Sequence, residues 1–350
     1  MKAFALVSAP FHIICLSEAI DYFKINELHI VFHADENTEA SRQMRSVLEN
    51  LKNVKKTIHF LEPSYLYKKS LEDRIGYYGD VLSKIDRNSF QYVFFSDFRV
   101  QWQKDLIDGF QKSKRIMLDD GSITLAFIHF HLPNNAFFAL PNFGTSARRQ
   151  YAEDIKLNYG IVPQSDSDID LFTIFYREKV TGKKVFPNTL AKLHRQYTNI
   201  DKSTEVIIGA KIVDRGFCDK TEYLQMLDKI NSNCKGKIIY FPHRGESADH
   251  QSEIKSTFPQ FEFIAPSTSI ELWLLMQQHP PATFHGYVST AFFIINMCFP
   301  QITLKCYRPS DRVINNMQDI KVYGSTLYNY SQVTRLFYSK LPKSVELIQL

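Results

Sequence analysis

Short runs rich in β-branched and aromatic residues alternate along this chain with segments whose apolar residues recur at helical spacing, and the alternation happens twice. Residues 3–8, 27–32, 56–60, 92–96 and 115–118 read as strands, with amphipathic helices at 11–23, 40–51, 71–85 and 102–111 between them. The pattern lapses over 135–200, through Asn134, Asn135, Pro141, Asn142, Gly144 and the polar stretch 164–170. It resumes with strands at 205–209, 237–241, 261–264, 282–286 and 301–305 and helices at 221–230, 247–256, 269–278 and 290–297. Strand-helix alternation of this kind builds parallel sheets with helices on both faces. At about 150 residues per domain, the 350 residues make two such domains. They are placed at 1–150 and 201–350, with an irregular linker at 151–200.

Composition removes several other classes. Apolar residues at 44% and charged residues at 23% exclude a disordered chain. The longest apolar stretches, 272–276 and 291–295, fall far short of the roughly 18–20 residues that cross a bilayer. The opening MKAFALVSAPFHIICLSEAI imitates a signal peptide, but Pro10 and His12 interrupt it and Glu18 and Asp21 stand where a cleavage site belongs, so it reads as a buried first strand. Five scattered cysteines, Cys15, Cys218, Cys234, Cys298 and Cys306, have neither disulfide nor zinc spacing, which fits a reducing cytoplasm and no bound metal. The net charge of +5 is not gathered into a basic block, so nucleic acid is not an expected partner. A basic balance does suit an acidic substrate, or peripheral attachment to the cytoplasmic face of an inner membrane. No GxGxxG or GxxxxGK[ST] loop is present.

Three segments at expected strand ends can carry chemistry. Asp119 and Asp120 repel each other, which raises one pKa toward that of a general base, and Gly121 permits the tight backbone that would aim a carboxylate outward. The same residues also fit an Asp-Gly turn capping a helix. His243 and Arg244 follow the strand at 237–241, and offer a proton donor and a phosphate partner. Ser289 and Thr290 open a helix after the strand at 282–286, where hydroxyls and free N–H groups suit a phosphate and equally suit plain N-capping. The DxD spacings at Asp166, Asp168 and Asp170 lie in the polar break and read as a solvated loop, and His129 and His131 read as structural.

A base, an acid and a leaving-group cradle on two doubly wound domains suit glycosyl transfer from a nucleotide donor. Two such domains facing across a cleft form the GT-B arrangement. In the order Asp119-Asp120-Gly121, His243-Arg244, Ser289-Thr290, with the opening VSAPFHIICLSEAI, the chain resembles the bacterial GT-B sialyltransferases, glycosyltransferase family 52 and its relatives among the capsule polysialyltransferases. The resemblance implies that Asp119 deprotonates the acceptor and that His243 protonates or hydrogen-bonds the departing CMP phosphate. It further implies that Ser289 and Thr290 hold that phosphate and that Glu271 binds the ribose. Gly209 would let the backbone approach the donor, or serve as an ordinary turn glycine. Arg244 stands where the family has Pro. The expected partners are CMP-sialic acid and a glycan such as lipooligosaccharide or capsule, with no cofactor and no metal. The acceptor side falls to the first domain, through loops 8–12, 96–99 and 134–144. The aromatic-rich tail, 323–350, is expected to pack across the domains. Transfer of another CMP-linked keto sugar or another nucleotide sugar, or binding without catalysis, are the alternatives.

Overall fold

The computed structural model describes residues 1–34, 38–49, 51, 53–136, 145–264, 269–317 and 327–350, and they form two compact α/β units. In the first, seven parallel strands, β1 (Lys2–Val7), β2 (Glu27–His33), β3 (Lys55–Leu61), β4 (Tyr92–Phe95), β5 (Lys114–Met117), β6 (Ile169–Thr173) and β7 (Val185–Pro187), run in the order β3-β2-β1-β4-β5-β6-β7. β1 is apolar without alternation and buried along Ala3–Val7, as a central parallel strand covered on both faces must be. The helix Pro10–Tyr22 follows it directly. Pro10 lies in its first turn, where the missing N–H costs nothing, and Ile13, Leu16 and Ile20 pack with Ala3, Ala5 and Val7 in one core.

The second unit begins at Leu190. Its parallel strands β8 (Asp201–Ile208), β9 (Lys237–Phe241), β10 (Glu262–Phe263), β11 (Pro281–Gly286), β12 (Thr303–Arg308) and β13 (Glu346–Gln349) run in the order β10-β9-β8-β11-β12-β13. The expected class, two doubly wound α/β domains, is the one observed. Within each sheet the strand order reverses beside the first strand, between β1 and β4 and between β8 and β11, and ligands of such sheets bind beyond the carboxyl ends of the strands there.

The linker expectation changes, and the tail divides between the units, with Leu327 in the first and the residues from Tyr328 onward in the second. Residues 151–200 are no linker: the helix Ser146–Asn158 runs into them, and β6 and β7 extend the first sheet so that its unit reaches Thr189. Their pattern is faint because β6 has only five residues after a polar turn and β7 is a three-residue edge strand. The tail from Tyr328 onward packs within the second unit, where the helix Tyr330–Lys340, closed at its start by an Asn329–Gln332 capping box, leads to β13 on β12. Residues 323–326 of that tail, and 137–144 of the loop assigned to the acceptor, lie outside the described residues. Among the described residues no helix is long and apolar enough to cross a membrane.

Candidate functional site

In the first unit the loops after β1, β4 and β5 meet at the switch point. His12, in the first turn after β1, is 2% exposed; its Nδ1 accepts the Ser8 N–H at 3.2 Å, so Nε2 carries the proton and donates to Asp120 Oδ1 at 2.8 Å. Arg99, after β4, holds Asp97 through two bonds of 2.8 and 3.0 Å and reaches Asp120 Oδ2 with the same Nη2. The β4 loop is fixed from below by the buried Gln103, whose Oε1 accepts the N–H groups of Ser96 and Asp97. Gly121 sits at φ +70°, the left-handed turn expected of it, and the Asp120 N–H donates to Thr124 Oγ1. The Asp120 side chain keeps 17% exposure. It is a carboxylate oriented from two sides and partly exposed.

Burial distinguishes the two aspartates. Asp119 is fully buried: Oδ1 accepts from Thr173 Oγ1 at 2.5 Å and Oδ2 from the Ile174 N–H at 2.8 Å, which ties β5 to the end of β6. Burial outweighs these bonds and pushes its pKa up to about 7. Asp119, the residue expected as the base, is thus the buried member of the pair, and Asp120 the more exposed one.

In the second unit, the loop after β9 carries His243 and Arg244, both exposed, and the loop after β8 carries Lys211 and Arg215. Glu246 anchors the first of these loops. It accepts the Tyr240 hydroxyl at 2.7 Å on Oε1 and the His243 N–H at 2.7 Å on Oε2, and burial pushes its pKa up to about 7. Gly209 leaves room for that carboxylate: a Cβ there would lie 2.5 Å from Glu246 Oε2 and 2.9 Å from the His243 nitrogen. The close approach seen here is to the protein's own loop.

His243 Nδ1 accepts the Gly245 N–H at 3.0 Å. Desolvation of the ring within its loop first, then the charges of Arg244, Lys211 and Arg215, push its pKa down to about 4. The imidazole is then neutral near pH 7 and presents an Nε2–H donor, the hydrogen-bonding alternative of the two expected of it, with the positive charge of Arg244, Lys211 and Arg215 beside it. Ser289 and Thr290 follow β11 half-buried, and Ser289 Oγ accepts the Ala291 N–H at 3.3 Å, while Thr290 makes no side-chain cap to the helix Ala291–Cys298. Glu271, expected at a ribose, is 8% exposed in the first turn of Ile270–Met276, and burial raises its pKa against a hydrogen bond from Ser269 and the charge of Arg244.

The remaining candidates are structural. Asp166 and Asp168 form a turn at the amino end of β6 and pair with Lys104 and Arg115, the sheet edge opposite to the switch-point loops. His129 pairs with Glu178 at 2.9 Å and the buried His131 bonds the Ala136 carbonyl, so this H-x-H spacing does not converge. Lys211, Arg215 and Glu246 were given no role from the sequence, and His12, Asp97 and Arg99 entered only as parts of the acceptor-side loops 8–12 and 96–99. The signal that finds them is strand order, because each lies just beyond β1, β4, β8 or β9.

No protein-family model matches the chain, and no curated protein matches it in sequence. Solved structures do match. UGT71G1 of Medicago truncatula, solved with UDP-glucose, is 8% identical over 98% of this chain and 91% of its own, with a TM-score of 0.50. UGT73P12 of Glycyrrhiza uralensis, solved with glycyrrhetinic acid 3-O-monoglucuronide, is 10% identical over 96% of this chain and 86% of its own, also at 0.50. At such identities the likeness is one of fold, and the fold is GT-B.

Proposed function

We propose that this protein is an inverting glycosyltransferase that moves sialic acid from CMP-sialic acid to a glycan acceptor, such as a lipooligosaccharide or capsule chain, at the cytoplasmic side of a membrane. The observation that carries the reading is that each unit presents, at the carboxyl ends of its switch-point strands, one group that the reaction needs. The first presents the part-exposed Asp120 held by His12 and Arg99, and the second a neutral His243 among Lys211, Arg215 and Arg244. Asp120 takes the proton of the acceptor hydroxyl as its oxygen bonds to the anomeric carbon. The bond from that carbon to the phosphate breaks, and its electron pair leaves on CMP. His12 and Arg99 position the base.

On the leaving side, His243 Nε2–H donates to the phosphate, the three cations balance its charge, and Ser289 and Thr290 supply hydroxyls beside a helix start. Three cations are sufficient countercharge for a monophosphate without a metal ion. The choice of CMP-sialic acid rests on the sequence motifs, because the nucleotide sugar named with the similar structures is UDP-glucose. The test is a panel of CMP- and UDP-linked sugars incubated with defined glycans. Release of CMP with a sialylated product is expected; turnover of a UDP-sugar alone would replace the donor, and turnover of none would leave a binding protein.

A further inference from the structure

Glu205, His285 and Tyr307 come from three adjacent strands. Register pairs His285 with Ile207 of β8 and with Lys305 of β12, so Glu205 and Tyr307 stand two residues away on the same face of the sheet. His285 is fully buried there, with Nε2 2.6 Å from Glu205 Oε2 and Nδ1 3.1 Å from the Tyr307 hydroxyl. The end of the helix Lys220–Asn233 brings in Cys234, half-buried, with Sγ 3.7 Å from the same Nε2. Ligand atoms of Glu205, Cys234 and His285 all lie within 4.8 Å of one another, and among the described residues this is the one group of His, Cys, Asp and Glu that converges so.

We propose that Glu205, Cys234 and His285 bind a zinc ion, and that the ion fastens this helix end to β8 and β11. With bonds of about 2.3 Å to sulfur and about 2.0 Å to nitrogen, a tetrahedral ion sets S and N about 3.6 Å apart. The Cys234–His285 separation already matches. Glu205 must draw back from Nε2 by under an ångström, and it can do so on Oε2 because Oε1 is separately anchored by the N–H groups of Lys235 and Gly236. A thiolate, an imidazole and a carboxylate suit zinc better than the all-oxygen cations. The half-exposed side of Cys234 leaves the fourth position to water. Tyr307 completes the set from behind: as Nε2 gives its lone pair to the ion, the ring proton moves to Nδ1 and is accepted by the Tyr307 oxygen. The balance is zinc plus one thiol giving a zinc thiolate and one released proton, since His285 only changes tautomer and Glu205 is already ionised. No oxidant or reductant enters. Cys234 precedes β9 and His243 follows it, so the two groups stand at opposite ends of that strand, and the zinc proposal does not rest on the proposed activity.

The experiment uses the full chain, stripped with a chelator and titrated with Co²⁺. Thiolate-to-cobalt charge transfer in the near ultraviolet and the visible bands of a tetrahedral ion are expected at one equivalent, with displacement by Zn²⁺ and release of one proton per zinc in weak buffer. Cys234→Ser should abolish the charge-transfer band while Cys218→Ser retains it, and zinc should raise the melting temperature of the wild type and not that of Cys234→Ser. Wild-type protein that gives neither band nor proton, or a band that survives in folded Cys234→Ser, would overturn the proposal.

Discussion

Two adjacent aspartates assigned opposite tasks give a sharp comparison. Asp120→Asn removes the proposed base while preserving shape. Its loss in kcat should be roughly 10²–10⁴-fold, the range for a general base, which is about 3–5 kcal/mol of transition-state stabilisation. Its cost to stability should be modest, about 1–2 kcal/mol, because the amide oxygen still accepts one of the two donors and Arg99 keeps both of its bonds to Asp97. Asp119→Asn should do the reverse. Both of its oxygens accept hydrogen bonds in the core, and an amide cannot accept at both, so one buried donor loses its partner at a cost of about 1–3 kcal/mol. For a unit of this size that corresponds to a fall in melting temperature of roughly 2–12 °C. Activity per folded molecule should remain within a few-fold of wild type. Calorimetry and CMP release measured on the same preparations decide the matter. Loss of turnover in a normally stable Asp119→Asn, beside an active Asp120→Asn, would refute the argument from burial.

The raised pKa of Asp119 has its own signature: the folded state binds the proton more tightly than the unfolded state, so this group's contribution to stability is lost as pH rises from about 4 to about 7. Asp119→Asn should flatten that part of the stability–pH curve, and an unchanged slope in chemical denaturation counts against it. His243 shifts the other way, from 6.5 to about 4, so its contribution is lost as pH falls through that window; an NMR titration should find its ring neutral at pH 6, rising toward its ordinary value when CMP binds, and a midpoint near 6.5 without ligand contradicts the assignment. Ser289→Ala with Thr290→Ala should weaken CMP binding by no more than about 1.5–3 kcal/mol per hydroxyl, and calorimetry showing unchanged affinity would reduce both residues to helix-start contacts. Gly209→Ala should drive a Cβ into Glu246 and the His243 nitrogen, displacing the loop after β9 and lowering both the melting temperature and CMP affinity; unchanged values in both would remove Glu246 as the loop's anchor.

Much of the architecture was legible because period and burial are local properties. The runs that became β1, β2, β4, β9 and β11 were visible as short apolar segments, and helix boundaries moved by at most three residues, since apolar spacing records which face a segment buries. Gly121 was legible for the same reason: a left-handed turn restricts the residue at that position alone. β6 and β7 were not, because very short strands take their stability from the neighbours they pair with and leave little pattern of their own.

The site divides along the same line. Sequence placed an acidic pair, a His-Arg loop and a Ser-Thr helix start beyond strand ends, but it could not say which aspartate faces out. That was decided by the end of β6, where Thr173 and the Ile174 that follows it, more than fifty positions away, bond Asp119 in the core, and by His12, 108 positions away, which bonds Asp120. Nor could spacing reveal that Glu205, Cys234 and His285 share a face, since they are drawn from two strands and a helix end that only the completed sheet brings together. Sequence determined the elements because secondary structure answers to neighbours a few residues away. Tertiary structure decided protonation, exposure and partnership because those depend on which distant groups exclude water from a side chain and which replace it as hydrogen-bond partners.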